Sequence, residues 1–78
     1  MARVRFFAQA RDAAGCRETE IDGETVGGVL QAAVAKFGPP LGDVLVTSTI
    51  WVNGERADHG QAIGPTDELA VLPPVSGG

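Results

Sequence analysis

Thr25-Val26-Gly27-Gly28-Val29-Leu30-Gln31-Ala32-Ala33-Val34-Ala35-Lys36-Phe37-Gly38-Pro39-Pro40 carries apolar residues at Val26, Val29, Leu30, Ala33, Val34 and Phe37. That i, i+3, i+4 spacing is the signature of a helix with one face turned to a core. Thr25 is suited to cap its first turn, because a hydroxyl oxygen can accept from a backbone N–H that has no helical partner. Gly38-Pro39-Pro40 stops it. Gly27 and Gly28 each cost about 1 kcal/mol relative to Ala inside a helix, but in the first turn they allow close packing on a sheet.

Working outward, the flanking segments read as strands. Arg3-Val4-Arg5-Phe6-Phe7-Ala8 alternates polar and apolar residues, which puts Val4 and Phe6 on the core face and points Phe7 away. A polar segment from Gln9 to Gly15, about one helical turn, leads to Arg17–Asp22, where Thr19 and Ile21 face inward. After the helix, Leu41 to Val46 reads as a short connector with buried leucines. Thr49-Ile50-Trp51-Val52 is a strand ending in the Asn53-Gly54 turn signal, with Ile50 and Val52 inward. Trp51 is then exposed or half-covered, either harmlessly or as part of a partner surface. Glu55 to Ala57 forms a short return strand, and the turn Gly64-Pro65-Thr66-Asp67 leads into Glu68-Leu69-Ala70-Val71-Leu72, with Leu69 and Val71 inward. The order β-β-α-β-β-β, with one amphipathic helix over one face of a small sheet, defines an α+β fold. Periodicity leaves the strand order open.

At 78 residues this is a single domain near the lower size for a self-sufficient core. A hydrophobic content of 44% with 21% charged residues marks a globular chain and not a disordered one. A net charge of −4 argues against nucleic acid and anionic membrane surfaces, which require clustered Lys and Arg. Met1-Ala2-Arg3-Val4-Arg5-Phe6 lacks a signal-peptide apolar run, and no stretch approaches the roughly 20 apolar residues of a membrane span. The expected compartment is the cytoplasm. Cys16 is the sole cysteine, which excludes an internal disulfide and a multi-cysteine metal site.

No phosphate-binding glycine loop, paired histidines or sequence-local Cys-His arrangement is present. His59, in Asp58-His59-Gly60, reads as a solvated loop residue. Cys16 reads as a partly buried thiol; a reactive thiolate needs local positive charge, and Arg17 is followed by Glu18 and Glu20. Glu18, Glu20, Asp22 and Glu24 read as a solvated strand edge rather than a metal site. What remains is the tail, Pro73-Pro74-Val75-Ser76-Gly77-Gly78. Its prolines hold φ near about −65° and favour extended geometry, so six residues span roughly 20 Å at about 3.3 Å each. Gly77 and Gly78 have no Cβ and can thread a narrow channel. Such an arm can deliver a terminal carboxylate into a partner. A carboxylate is a poor electrophile, so it must first become an acyl-adenylate, which requires ATP and an activating enzyme. Attack by sulfide or a persulfide then yields a thiocarboxylate, whereas attack by a lysine amine yields an isopeptide.

Three stretches carry a resemblance: Phe6-Phe7-Ala8-Gln9-Ala10-Arg11, Val52-Asn53-Gly54-Glu55, and Asp67 through Gly78. Together they resemble the small, sulfur-carrying subunit of molybdopterin synthase, within the ubiquitin-like β-grasp sulfur carriers, over nearly the whole chain. The resemblance implies a β-grasp domain over residues 1–72 with first and last strands adjacent, and a flexible tail over 73–78 that leaves at the sheet edge. It implies adenylation of Gly78 by an enzyme related to the ubiquitin-activating class and conversion to a thiocarboxylate with sulfur from a persulfide protein. The tail would then enter the large synthase subunit, in a heterotetramer of two copies of each chain. Sulfur would pass there to a cyclic pterin precursor, building the dithiolene that holds molybdenum. Acid–base residues would belong to the large subunit, leaving this chain a non-catalytic carrier that binds no cofactor of its own. The contact residues so implied are Phe7, Leu72, Pro73, Pro74 and Val75, with Ser76 and Gly77 completing the tail and Arg11 matching a family position. Rival readings are a carrier for thiamine, cysteine or tRNA thiolation, a ubiquitin-like protein modifier, and a plain interaction module. The opening Phe-Phe-Ala-Gln-Ala-Arg and closing Pro-Pro-Val-Ser-Gly-Gly favour the molybdopterin branch.

Overall fold

Alternation in the first strand, β1 (Ala2–Phe6), buries Ala2, Val4 and Phe6 and leaves Arg3 and Arg5 in solvent. The computed structural model describes residues 1–74, in which β1 is followed by α1 (Gln9–Ala14), β2 (Glu18–Ile21), α2 (Val26–Phe37), α3 (Pro39–Thr47), β3 (Thr49–Val52), β4 (Glu55–Arg56) and β5 (Glu68–Leu72). The strands form one sheet in the order β2-β1-β5-β3-β4. β1 and β5 run parallel, with Val4 opposite Leu69 and Phe6 opposite Val71, while the other pairs are antiparallel. First and last strands are therefore adjacent, as the resemblance implies. β5 lies in the interior of the sheet, however, so the chain runs off the end of a central strand and not off an outer one.

The α2 helix spans the predicted residues. The Gly28 N–H donates to Thr25 Oγ1 at 3.0 Å, which caps its start, and Gly38, at φ 101°, turns the chain at its end. Val26, Val29, Leu30 and Ala33 are buried against Val4, Phe6, Leu69, Val71 and Ile50 in one core. Phe37 meets Phe6 edge to face, with ring centroids 5.6 Å apart. Burying a Val or Leu side chain is worth about 1.5–3 kcal/mol, so this one face anchors the domain.

The expected connector over Leu41–Val46 is instead part of α3. Pro39 and Pro40 do not merely stop α2; they occupy the first two positions of the next helix. The N–H groups that proline lacks would have no helical partner there anyway, and its fixed φ suits the first turn. Leu41 is completely buried and Val44 and Leu45 pack against the core, which is again i, i+3, i+4 spacing. A further short helix, α1, fills Gln9–Ala14, and Gly15 ends it in the left-handed region at φ 77°.

Asn53 and Gly54 have φ of 51° and 85°, as a two-residue hairpin turn requires. Asn53 also ties this turn to the start of β5. Its Nδ2 donates to Asp67 Oδ1 at 2.9 Å, and its Oδ1 accepts from the Glu68 N–H at 3.0 Å. With the helices on one face, the other face of the sheet is left open. It carries Arg3, Arg5, Glu18, Glu20, Trp51 and Ala70 as exposed or half-buried residues.

Candidate functional site

The end of β5 brings together Phe7, Leu72, Pro73 and Pro74 of the predicted contact residues. The Phe7 N–H donates to the Val71 carbonyl at 3.2 Å, extending the β1–β5 ladder by one residue. Phe6 and Val71 are buried beneath, so alternation turns Phe7 and Leu72 outward, where they remain 38% and 37% exposed. Large apolar groups left in solvent beside each other are the makings of a protein contact. Trp51, half-buried on the open face of β3, lies opposite Ala70 of β5, and Thr49 lies opposite Leu72. The apolar surface thus continues from the tail root across the sheet.

The Arg5 guanidinium carbon sits 5.4 Å from the centroid of the Phe7 ring, a cation–π contact, while its Nη1 lies 3.6 Å from Glu68. Arg11, on α1, joins Arg5, Phe6, Phe7 and Arg17 around a shallow cavity of about 210 Å³. Between β1 and α1 the chain turns at Ala8, whose φ is 51°. Positive φ is uncommon for a residue with a Cβ. Sequence reading matched Arg11 to a family position without a physical role; the fold places it around one cavity with Arg5 and Arg17, which sequence reading did not single out for the site. No spacing rule would have found them, because they come from different segments.

Pro73 is half-buried and Pro74 exposed, and they share a recess of about 250 Å³ with Gln9 of α1 and Asp43, Val44 and Thr47 of α3. One wall of the tail root is therefore built by the helix that sequence reading took for a connector. Its apolar spacing at Leu41, Val44 and Leu45 was the available signal. The predicted tail residues Val75, Ser76, Gly77 and Gly78 lie outside the described residues.

The other singled-out residues have local explanations. His59 is exposed, and its carbonyl accepts from the Gly27 N–H at 2.7 Å, which joins the 58–61 loop to the start of α2. A Cβ on Gly27 would stand 3.1 Å from that oxygen, so the glycine permits the approach. Cys16 is half-buried in the bend before β2. Glu18, Glu20, Asp22 and Glu24 are exposed. Asp67 has its carboxyl held below the ordinary value, first by the hydrogen bond from the Gly64 N–H and next by that from Asn53, both of which favour the ionised form.

A mixed five-stranded sheet with parallel terminal strands and helices on one face is the ubiquitin-like β-grasp fold. Residues 4–78 match the model of the ThiS family, and the chain belongs to that family of ubiquitin-like sulfur carriers. It is 38% identical to small archaeal modifier protein 1 of Haloferax volcanii, over 95% of this chain and 97% of that one. It is 33% identical to the molybdopterin synthase sulfur carrier subunit of Chlamydomonas reinhardtii, over 97% of this chain and 96% of the relative. The solution structure of small archaeal modifier protein 1 from Methanosarcina acetivorans superposes with a TM-score of 0.89 at 30% identity, covering 99% of this chain and 95% of that one.

Proposed function

We propose that this chain is the sulfur carrier subunit of a cytoplasmic molybdopterin synthase, and that the Gly78 carboxylate is its working group. One observation carries the reading. β5 runs through the middle of the sheet and releases Leu72-Pro73-Pro74 beside the exposed Phe7, aimed past α3, directly ahead of Val75-Ser76-Gly77-Gly78. An apolar collar at an arm's root that Pro73 and Pro74 stiffen suits delivery of a chain terminus into a partner.

In the proposed sequence, a partner enzyme joins the Gly78 carboxylate to AMP, releasing pyrophosphate from ATP. A persulfide sulfur displaces AMP, and reduction of the resulting acyl disulfide by a thiol frees the thiocarboxylate. The tail then enters the large synthase subunit, whose residues transfer the sulfur to a cyclic pterin precursor. This chain's own residues dock and position: Phe7 and Leu72 supply apolar contact, Pro73 and Pro74 stiffen the root, and Arg11 faces the partner. ATP belongs to the activating enzyme, and the carrier holds only its sulfur.

The relative in Chlamydomonas, together with the full-length resemblance, supports the molybdopterin branch. A second reading, conjugation to lysines of other proteins, is supported by the relative named a modifier. Reconstitution separates them. Thiocarboxylated chain, mixed with a large subunit and precursor, is expected to yield molybdopterin where the carboxylate form does not; ladders of conjugates without molybdopterin would favour the modifier.

A further inference from the structure

The chain is acidic overall, yet its arginines gather near the end of the sheet that releases the tail. Three of its five arginines, Arg5, Arg11 and Arg17, come from β1, α1 and the bend before β2 to ring Phe7. The backbone holds them there: the Phe6 N–H donates to the Arg17 carbonyl at 2.8 Å, and the Phe7 N–H to Val71. The carboxylates nearby are Glu68, paired with Arg5; Glu18, which lies opposite Arg5 but pairs with Arg3; Asp12, next to Arg11 on α1; and Asp43 of α3, which lines the recess at Pro73 and Pro74. Arg11 and Arg17 are exposed and form no ion pair among the described residues. Two arginines without an ion pair among the described residues therefore line the same cavity as Phe7, beside the tail root.

We infer that Arg5, Arg11 and Arg17 form a cationic docking site for a carboxylate cluster on the enzyme that adenylates the tail. Charge complementarity names that partner chemistry. Guanidinium groups bind carboxylates through paired N–H donors, and in a chain of net charge −4 a local basic patch orients encounter with an acidic surface. The ring of Phe7 gives short-range contact at the centre, so the arginines steer and the ring anchors. Arg5, already held by Glu68 and Phe7, fixes the ring's position; Arg11 and Arg17 reach outward. The inference rests on the carrier reading and extends it to how the tail is brought to its activating enzyme.

The test is stopped-flow association of the full chain with its cognate adenylating enzyme across a series of salt concentrations. For the wild type, the association rate constant is expected to fall steeply with salt. The double variant Arg11→Glu/Arg17→Glu should lower it about tenfold or more at low salt and flatten the salt dependence. Arg11→Gln/Arg17→Gln, which adds no negative charge, should fall between. Lys36→Glu, which on α2 makes the same charge change as either single reversal, Arg11→Glu or Arg17→Glu, should act far less than those single reversals. Equal effects from Lys36→Glu and the single arginine reversals would reduce the site to net charge and overturn the inference, as would unchanged association in both arginine pairs. If the wild type is never adenylated, the carrier reading itself fails and takes this inference with it; adenylation with unaltered association in the variants defeats the inference alone.

Discussion

Phe7 donates its backbone N–H to the carbonyl of Val71 at 3.2 Å, so the ladder that holds the first strand to the last also fixes the point where the tail begins. Phe6 and Val71 are buried under that joint, while Phe7 and Leu72 sit above it in solvent. Folding rests on the buried pair, and the proposed docking on the exposed pair beside it. Phe7→Ala and Leu72→Ala are expected to shift stability by less than about 1 kcal/mol. Each should weaken binding to the activating enzyme by about 2 kcal/mol, roughly 30-fold, as loss of an interface anchor does. Thermal unfolding and titration calorimetry on the same samples check both halves.

Leu41 gives the test of α3. Because its side chain is completely buried, Leu41→Ala should cost about 2–5 kcal/mol. At about 4–8 °C per kcal/mol for a domain of this size, the midpoint falls by at least about 8 °C. A change confined to a degree or two would return residues 41–46 to the status of a surface connector.

Asp67 links stability to pH. Its folded-state pKa lies below the ordinary 3.8, so the ionised carboxylate stabilises the fold above that value, and the contribution is lost as the pH falls through the lower folded value. Asp67→Asn should therefore be less stable than the wild type at neutral pH, with the difference shrinking in acid. Denaturant midpoints measured on both sides of pH 3.8 report it.

Two glycines in helices should respond oppositely to alanine. A Cβ on Gly42 of α3 would meet only Val34 methyls, at 3.5 and 3.7 Å, which is ordinary contact. Gly42→Ala is expected to stabilise by about 0.5–1 kcal/mol by restricting the unfolded chain and favouring the helix. At Gly27 the Cβ would press on the His59 carbonyl at 3.1 Å, so Gly27→Ala should lose that benefit or destabilise. Melting temperatures of the two variants give the comparison.

Helix α2 was legible to the residue because its apolar stripe, its Thr25 cap and its Gly38 stop agree with one another. The strands were legible from alternation, and the Asn53-Gly54 turn from the positive φ that those residues tolerate. Helix α3 was hidden by Pro39-Pro40, because the same residues that forbid continuing one helix are suited to begin another. Strand order was invisible to periodicity, which reports which face a residue takes and not which strand lies beside it; the family resemblance supplied the adjacency of β1 and β5. In the site, Phe7 stood out as an apolar residue on the polar side of an alternating strand. Arg5 and Arg17 did not, since tertiary structure alone brings them together with Arg11.

The central claim is that Gly78 carries sulfur. The direct measurement is the intact mass of the full chain after incubation with its adenylating enzyme, ATP and a persulfide donor. A gain equal to one oxygen exchanged for sulfur, localised to Gly78 by fragmentation and lost when Gly77 and Gly78 are deleted, is the predicted result. An unchanged mass in the presence of an enzyme that is active on its own substrate, or sulfur found on Cys16 instead, would contradict it.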